Sequence, residues 1–334
     1  MLAGLLMVAA CTSAPAATPR TVTLRLGYFP NVTHATALVG VDRGIFADAL
    51  GAGVTLRTQT FNAGPEAIEA LFGGAVDAAY LGPSPTVNGF AQSKGAALRI
   101  VSGATSGGAS LVVKPSVRGP ADLKGKRLAT PQLGGTQDVA LRAWLTDQGL
   151  HADTSGGGDV SIVPQDNGAT LDAFRSGAID GAWVPEPWAT RLVIEGNGTR
   201  LIDERDLWPG GRFVTTHLVV STKFLVVHPD VVKRLIEGQV AANEYVNTHP
   251  AEAQKAVNDA IEKITQKRMT DATLAESWEY LTFTNDPLPD ALVESAKKAQ
   301  AAGLLASVDL AGIYDLGPLN DVLRAHAQPE VKAP

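Results

Sequence analysis

The sequence predicts an α/β fold of two lobes, each a mostly parallel sheet covered by helices, on either side of a cleft. Two observations carry this expectation. Strand-like and helical segments alternate along most of the chain, and one such stretch recurs without a gap 103 residues further on, as from Asp77 to Asp180. A third observation, a purely helical pattern from about His228 onward, accounts for the remainder.

Taken in order, residues 21–27 alternate as a strand, Tyr28-Phe29-Pro30-Asn31 reads as a turn, and residues 34–43 as a helix. Residues 54–61 form the second strand, Asn62-Ala63-Gly64-Pro65 its loop, and residues 66–72 a helix whose first turn suits Pro65. The third strand, 76–81, ends in Gly82-Pro83-Ser84-Pro85. Residues 66–81 lie over residues 169–184, and residues 25–29 with their helix match residues 127–131 with the helix 136–148. Both third strands run into proline, the second at Pro185-Glu186-Pro187-Trp188. The chain is expected to cross between lobes near 110–114 and again near 213–220. Residues 21–112 and 214–334 then make lobe 1, and 113–213 lobe 2. Helices at 230–247, 251–264, 271–281 and 289–302 are expected to pack back on lobe 1.

Composition narrows the function. The 334 residues, 45% of them hydrophobic, suffice for two cores, and 28 basic against 34 acidic residues with no basic cluster exclude a nucleic-acid partner. The single cysteine excludes a disulfide framework and a thiolate metal cluster. It closes an apolar run too short to span a bilayer, Met1 to Ala10, and is followed by a Thr/Ser/Ala/Pro tether. Ala9-Ala10-Cys11 resembles a bacterial lipobox. Residues 1–10 are therefore expected to be a signal peptide, Cys11 the lipidated mature N-terminus, and 11–20 a tether on the outer face of the cell membrane. No Lys or Arg precedes the run, which a start upstream of Met1 would explain.

No catalytic constellation stands out. The six histidines are scattered without metal-ligand spacing, no dinucleotide or phosphate-loop fingerprint follows a strand, and Ser84 lies between prolines rather than in a nucleophile elbow. No cofactor or metal is expected, and no enzymatic activity. The cleft instead offers neutral donors at helix starts, at Gly134-Gly135-Thr136-Gln137 and at Ser84 and Thr86, which bind an oxyanion without an arginine. Trp183 and Trp188, with stiff prolines between them, could line an apolar slot facing Tyr28 and Phe29, with Glu186 placed to pair with a ligand amine.

Leu26-Gly27-Tyr28, Arg43-Gly44-Ile45-Phe46, Gly74-Ala75-Val76-Asp77 with Gly82-Pro83-Ser84-Pro85, Leu123-Lys124-Gly125-Lys126, Ser176-Gly177-Ala178-Ile179-Asp180 and Lys223-Phe224 with His228-Pro229-Asp230 occur in one order. Together they resemble the solute-binding proteins of nitrate/sulfonate/taurine-type ABC importers, in one superfamily with binders of thiamine-pyrimidine precursors. The resemblance implies a type II periplasmic-binding-protein fold. It implies a monomer that captures a small oxyanion and delivers it to a permease driven by a separate ATPase. It places ligand contacts at Tyr28, Asn31, His34, Asn62, Ser84, Gln132, Thr136, Gln137, Trp183, Glu186, Trp188, Thr216 and His217. Pro30-Asn31-Val32-Thr33-His34 is closer to the pyrimidine-precursor binders, so that ligand stays open. An enzyme on this fold would rely on His34, and a lipoprotein without a ligand would not need mobile lobes. Trp183→Ala and Thr136→Ala are each expected to weaken binding and leave the fold intact.

Overall fold

The computed structural model describes residues 21–333; the apolar leader, Cys11 and the tether lie outside the described residues. The first run comprises β1 (Val22–Tyr28), α1 (Ala35–Asp42), α2 (Ile45–Leu50), β2 (Val54–Thr60), α3 (Gly64–Phe72), β3 (Ala78–Leu81), α4 (Pro83–Gln92) and β4 (Leu98–Gly107). The second comprises β5 (Ala109–Val113), β6 (Arg127–Thr130), α5 (Thr136–Asp147), β7 (Ser161–Pro164), α6 (Asn167–Ser176), β8 (Gly181–Pro185), α7 (Trp188–Ile194) and β9 (Thr199–Asp203). The chain then returns through β10 (Val214–Ser221) to α8 (Thr222–Val227), α9 (Pro229–Thr248), α10 (Pro250–Thr265) and α11 (Asp271–Trp278). It finishes with β11 (Leu281–Phe283), α12 (Pro289–Ala301) and α13 (Gly317–Ala325).

Two sheets result, in the orders β11-β4-β10-β3-β1-β2 and β7-β6-β8-β5-β9. In each, three parallel strands pair as second-first-third, and the third then pairs with an antiparallel strand, β10 or β5. The internal repeat is thus a repeat of architecture, down to one detail. Asp77 accepts from the backbone N–H of Arg25 at 2.9 Å and donates its own N–H to that residue's carbonyl, and Asp180 does both to Arg127. The recurring Ala-Val/Ile-Asp motif is a latch between the third strand and the first.

Strand periodicity decides what each face meets. Leu24, Leu26 and Tyr28 of β1 share one face and join a core with α1, α9 and α10, while Gly27 on the other face lets Phe61 and Ala79 approach. In β8, Trp183 packs with Leu111, Leu128 and Trp144, and its neighbours Ala182 and Val184 face Leu171 and Phe174 on the opposite side. Both sheets are covered on two faces, as parallel sheets require.

Three expectations need correction. Sheet membership changes at Gly108, ahead of the expected 112/113 boundary, so β5 belongs wholly to the second sheet. The turn is made by Gly107 and Gly108, both at left-handed φ of 80° and 76°, and a side chain on Gly107 would strike the carbonyl of Tyr280. The tail is not purely helical: β11 pairs antiparallel with β4, a three-residue edge too short to show alternation in sequence. Finally, α12 packs on both lobes, its Ala291 and the preceding Leu288 joining the core of the second sheet and its Leu292 and Ala296 that of the first. Among the described residues no helix is long and apolar enough to cross a membrane, and no group of three His, Cys, Asp or Glu could hold a metal ion.

Candidate functional site

The loops after all six parallel strands converge on one cavity of about 40 Å³ between the sheets. From the first lobe come Asn31, Thr33 and His34 after β1, Asn62 to Gly64 after β2, and Gly82 after β3. From the second come Pro131 and Gly135 to Gln137 after β6, Asn167 after β7, and Pro185 at the end of β8. Thr215 of β10 completes it.

Helix starts dominate the wall. The residues preceding α3, α4 and α5 are Ala63, Gly82 and Gly135, none of which has a side chain that caps its helix. Proline at the second position of α3 and at the first and third of α4 removes donors there, so the N–H groups without intrahelical acceptors are those of Gly64 and Glu66, of Ser84, and of Thr136, Gln137 and Asp138, where the helix dipoles also place partial positive charge. Of the helices that begin at this wall, α6 has a side-chain cap, Asp166 accepting from Ala169 N–H at 2.8 Å. Buried polar atoms without partners concentrate here too: Ser84 Oγ after β3, Gln132 Oε1 after β6, and Gln165 Nε2 and Asn167 Oδ1 after β7. Each left unpaired costs about 1–3 kcal/mol. Two larger grooves, about 1080 Å³ beside Arg25 and Asp77 and about 990 Å³ between α5 and α12, contain none of the unpartnered buried atoms found among the described residues.

His34 contributes a neutral donor. Burial lowers its pKa to about 3, its ring packs against Phe29 at 4.4 Å, and its Nδ1 accepts from Phe29 N–H at 3.4 Å. The proton therefore sits on Nε2. Gly82 lets the lobes touch: a side chain there would run into Thr136 of the facing lobe.

Of the residues expected from sequence, Asn31, His34, Asn62, Thr136 and Gln137 line the cavity. Ser84, buried in the first turn of α4, and half-buried Gln132 sit beside lining residues but outside the wall. The others lie away from it. Tyr28 is in the core with its hydroxyl at Thr58, burial raising its pKa. Trp183 is fully buried on the far face of β8 and donates to Glu204 at 2.8 Å. The Glu186 carboxylate accepts from Arg200 Nη2 at 2.9 Å and Thr190 N–H at 3.1 Å, so it is not free to pair with a ligand. Trp188 does not line the cavity but donates to Asn31 across the cleft at 2.9 Å. Thr216 bonds the carbonyl of Thr33 at 3.2 Å, and His217, its pKa lowered to about 4 by burial, bonds that of Pro287 at 2.8 Å. Sequence reasoning missed Asn167 and Thr215. The repeat carried the signal for the first, since Asn167 stands where Gly64 stands in the other copy; Thr215 had none.

Comparison with known proteins follows this geometry. The model of the NMT1-like family matches residues 17–261. The taurine-binding periplasmic protein of Escherichia coli (strain K12) is 30% identical over 199 residues, 59% of this chain and 59% of that protein. A bicarbonate-binding protein of Synechococcus elongatus is 22% identical over 270 residues, 73% of this chain and 58% of that protein. The match thus spans less than two thirds of either relative. Among solved structures, the alkanesulfonate-binding protein SsuA from Xanthomonas axonopodis pv. citri bound to MOPS superposes with a TM-score of 0.70 at 22% identity. It covers 87% of this chain and 96% of that one, and the likeness shows the fold, that of two-lobed periplasmic binding proteins.

Proposed function

Because this chain belongs to the NMT1-like family, whose model covers residues 17–261, we propose that it is the solute-binding protein of an ABC importer, capturing a small oxyanion between its lobes. The single observation that supports this reading is the convergence of helix starts without capping side chains on a cavity lined by Asn31, His34, Asn62, Thr136, Gln137 and Asn167. Backbone N–H groups, amide groups and a neutral imidazole hold a dispersed negative charge without a formal cation. Since both lobes supply donors, the ligand favours the closed arrangement by whatever it binds better there than in the open one. That closed form is what docks on the permease, which a separate ATPase drives.

Cys11 as a lipidated N-terminus would keep the protein on the outer face of the membrane beside that permease. The same loops support a second reading. Phe29 and His34, packed together on the cavity wall, would also stack on a flat pyrimidine precursor.

A thermal-shift screen of the soluble form beginning at Thr12 separates these. Its panel holds nitrate, bicarbonate, alkanesulfonates, taurine, pyrimidine precursors and unrelated nutrients. A ligand at a hundred times its Kd adds about 2.7 kcal/mol to the folded state. Shifts confined to oxyanions support the first reading, shifts with pyrimidines alone transfer the site to the stacked pair, and silence throughout contradicts both.

A further inference from the structure

The cavity has no formal charge of either sign. Its polar lining is amide, hydroxyl and a buried imidazole, and among the described residues no Asp, Glu, Lys or Arg lines it. Three carboxylates come to the edge and each is engaged elsewhere: Asp138, beside Gln137, accepts from Thr130, Gly134 N–H and Arg142; Asp166, beside Asn167, accepts from Ala169 N–H; and Glu186 is withdrawn. Glu186 follows Pro185 of the wall, and its backbone carbonyl accepts from Thr33 N–H at 3.5 Å across the cleft. Its side chain turns away, fully buried, to Arg200 at 2.9 Å and Thr190 N–H at 3.1 Å. Arg200 is itself fixed by the hydroxyl of Ser110 and lies 3.7 Å from the ring centre of Tyr280. Freeing Glu186 for a ligand would leave half-buried Arg200 without its counter-ion.

Building on the oxyanion reading above, we propose that this cavity selects oxyanions bearing no ammonium group, such as nitrate, bicarbonate or an unsubstituted alkanesulfonate, and turns away the zwitterion taurine. An ammonium group closed into it would be desolvated without an anionic partner. It would also face the positive ends of the helices that begin there. The oxyanion meets the reverse situation. Asn167 is only 7% exposed and its amide oxygen has no partner; turned over, the amide presents its NH₂ to the ligand. In this respect the chain parts from its taurine-binding relative while sharing its family.

Calorimetric titration of the soluble protein with ethanesulfonate, nitrate, bicarbonate and taurine tests this. Ethanesulfonate and taurine differ by the ammonium group alone. The tightest of the three ammonium-free anions is expected to bind about tenfold or more tightly than taurine. Asn167→Asp, which adds the missing carboxylate at a helix start where Asp is well tolerated, is expected to narrow or reverse that order. Taurine binding as tightly as the best of the others overturns the selectivity and leaves the oxyanion site standing. If none of the four binds, the oxyanion reading falls and the selectivity with it.

Discussion

The indole N–H of Trp188, at the start of α7, donates to the side-chain oxygen of Asn31 at 2.9 Å, joining the loop after β8 to the loop after β1 across the cavity. Arg191 lies over the same ring at 4.6 Å and steadies it. This bond exists only when the lobes are together. It therefore counts toward closure and not toward the stability of either lobe.

Trp188→Phe keeps the ring and deletes the donor. A net hydrogen bond of about 0.5–1.5 kcal/mol translates to a loss of roughly twofold to tenfold in ligand affinity, with little change in melting temperature. Calorimetry with whichever anion binds best, set beside a thermal melt of the free protein, measures both.

Gly82 faces Thr136 across the cleft with no room for a Cβ between them. The φ of Gly82, −73°, is open to any residue, so the glycine is there for space. Gly82→Ala is expected to hold the lobes apart and weaken binding about tenfold or more, while Thr136→Ala costs one hydroxyl and a smaller factor. The double variant should recover part of the loss from Gly82→Ala, because the added methyl then has room. Equal affinities for Gly82→Ala and the parent would show that this contact does not limit closure.

The periodic parts of the chain were legible in its sequence. The repeat pointed to two sheets, the helix-start pattern to Thr136 and Gln137, and the family resemblance to Asn31 and Asn62; all four residues line the cavity. What stayed hidden was direction. Trp183 and Trp188 belong to one aromatic loop, yet Trp183 falls on the strand face opposite Val184 and is core, whereas Trp188 begins a helix and crosses the cleft. Glu186 looked available because its partner Arg200 arrives on β9, and no spacing in the sequence announces that pairing. The family resemblance places Tyr28 and His217 at the ligand, but each lies on a face that closes against the core.

Trp183→Ala accordingly acts on stability, contrary to the sequence expectation that it leaves the fold intact. Truncating a fully buried Trp costs about 3–5 kcal/mol, and here it also removes a donor from the buried Glu204. Denaturant unfolding should show a fall of this size. A variant with parental stability would mean that Trp183 is not core.

Glu204 gives a pH signature. Burial pushes its pKa up from 4.5 to about 7 against the pull of bonds from Trp183 and Trp208 and of the Lys298 charge, with Asp203 adding to the rise. The folded state holds this proton more tightly than the unfolded chain, so the contribution is complete below about pH 4.5 and is lost as pH rises through about 7. His34 and His217 act oppositely. Their pKa values fall from 6.5 to about 3 and 4, and their contribution, present above 6.5, is lost as pH drops through those values. Glu204→Gln should therefore gain stability relative to the parent as pH rises through about 7, in denaturation curves taken on either side. A difference that does not change with pH would contradict the assignment.

The most direct measurement is a crystal structure of the soluble protein grown with nitrate or ethanesulfonate. The account predicts the anion between the sheets, its oxygens about 3 Å from N–H groups at the start of α5 and from Asn31 or His34 of the facing lobe. An anion bound elsewhere, or an empty cavity at saturating concentration, would contradict it.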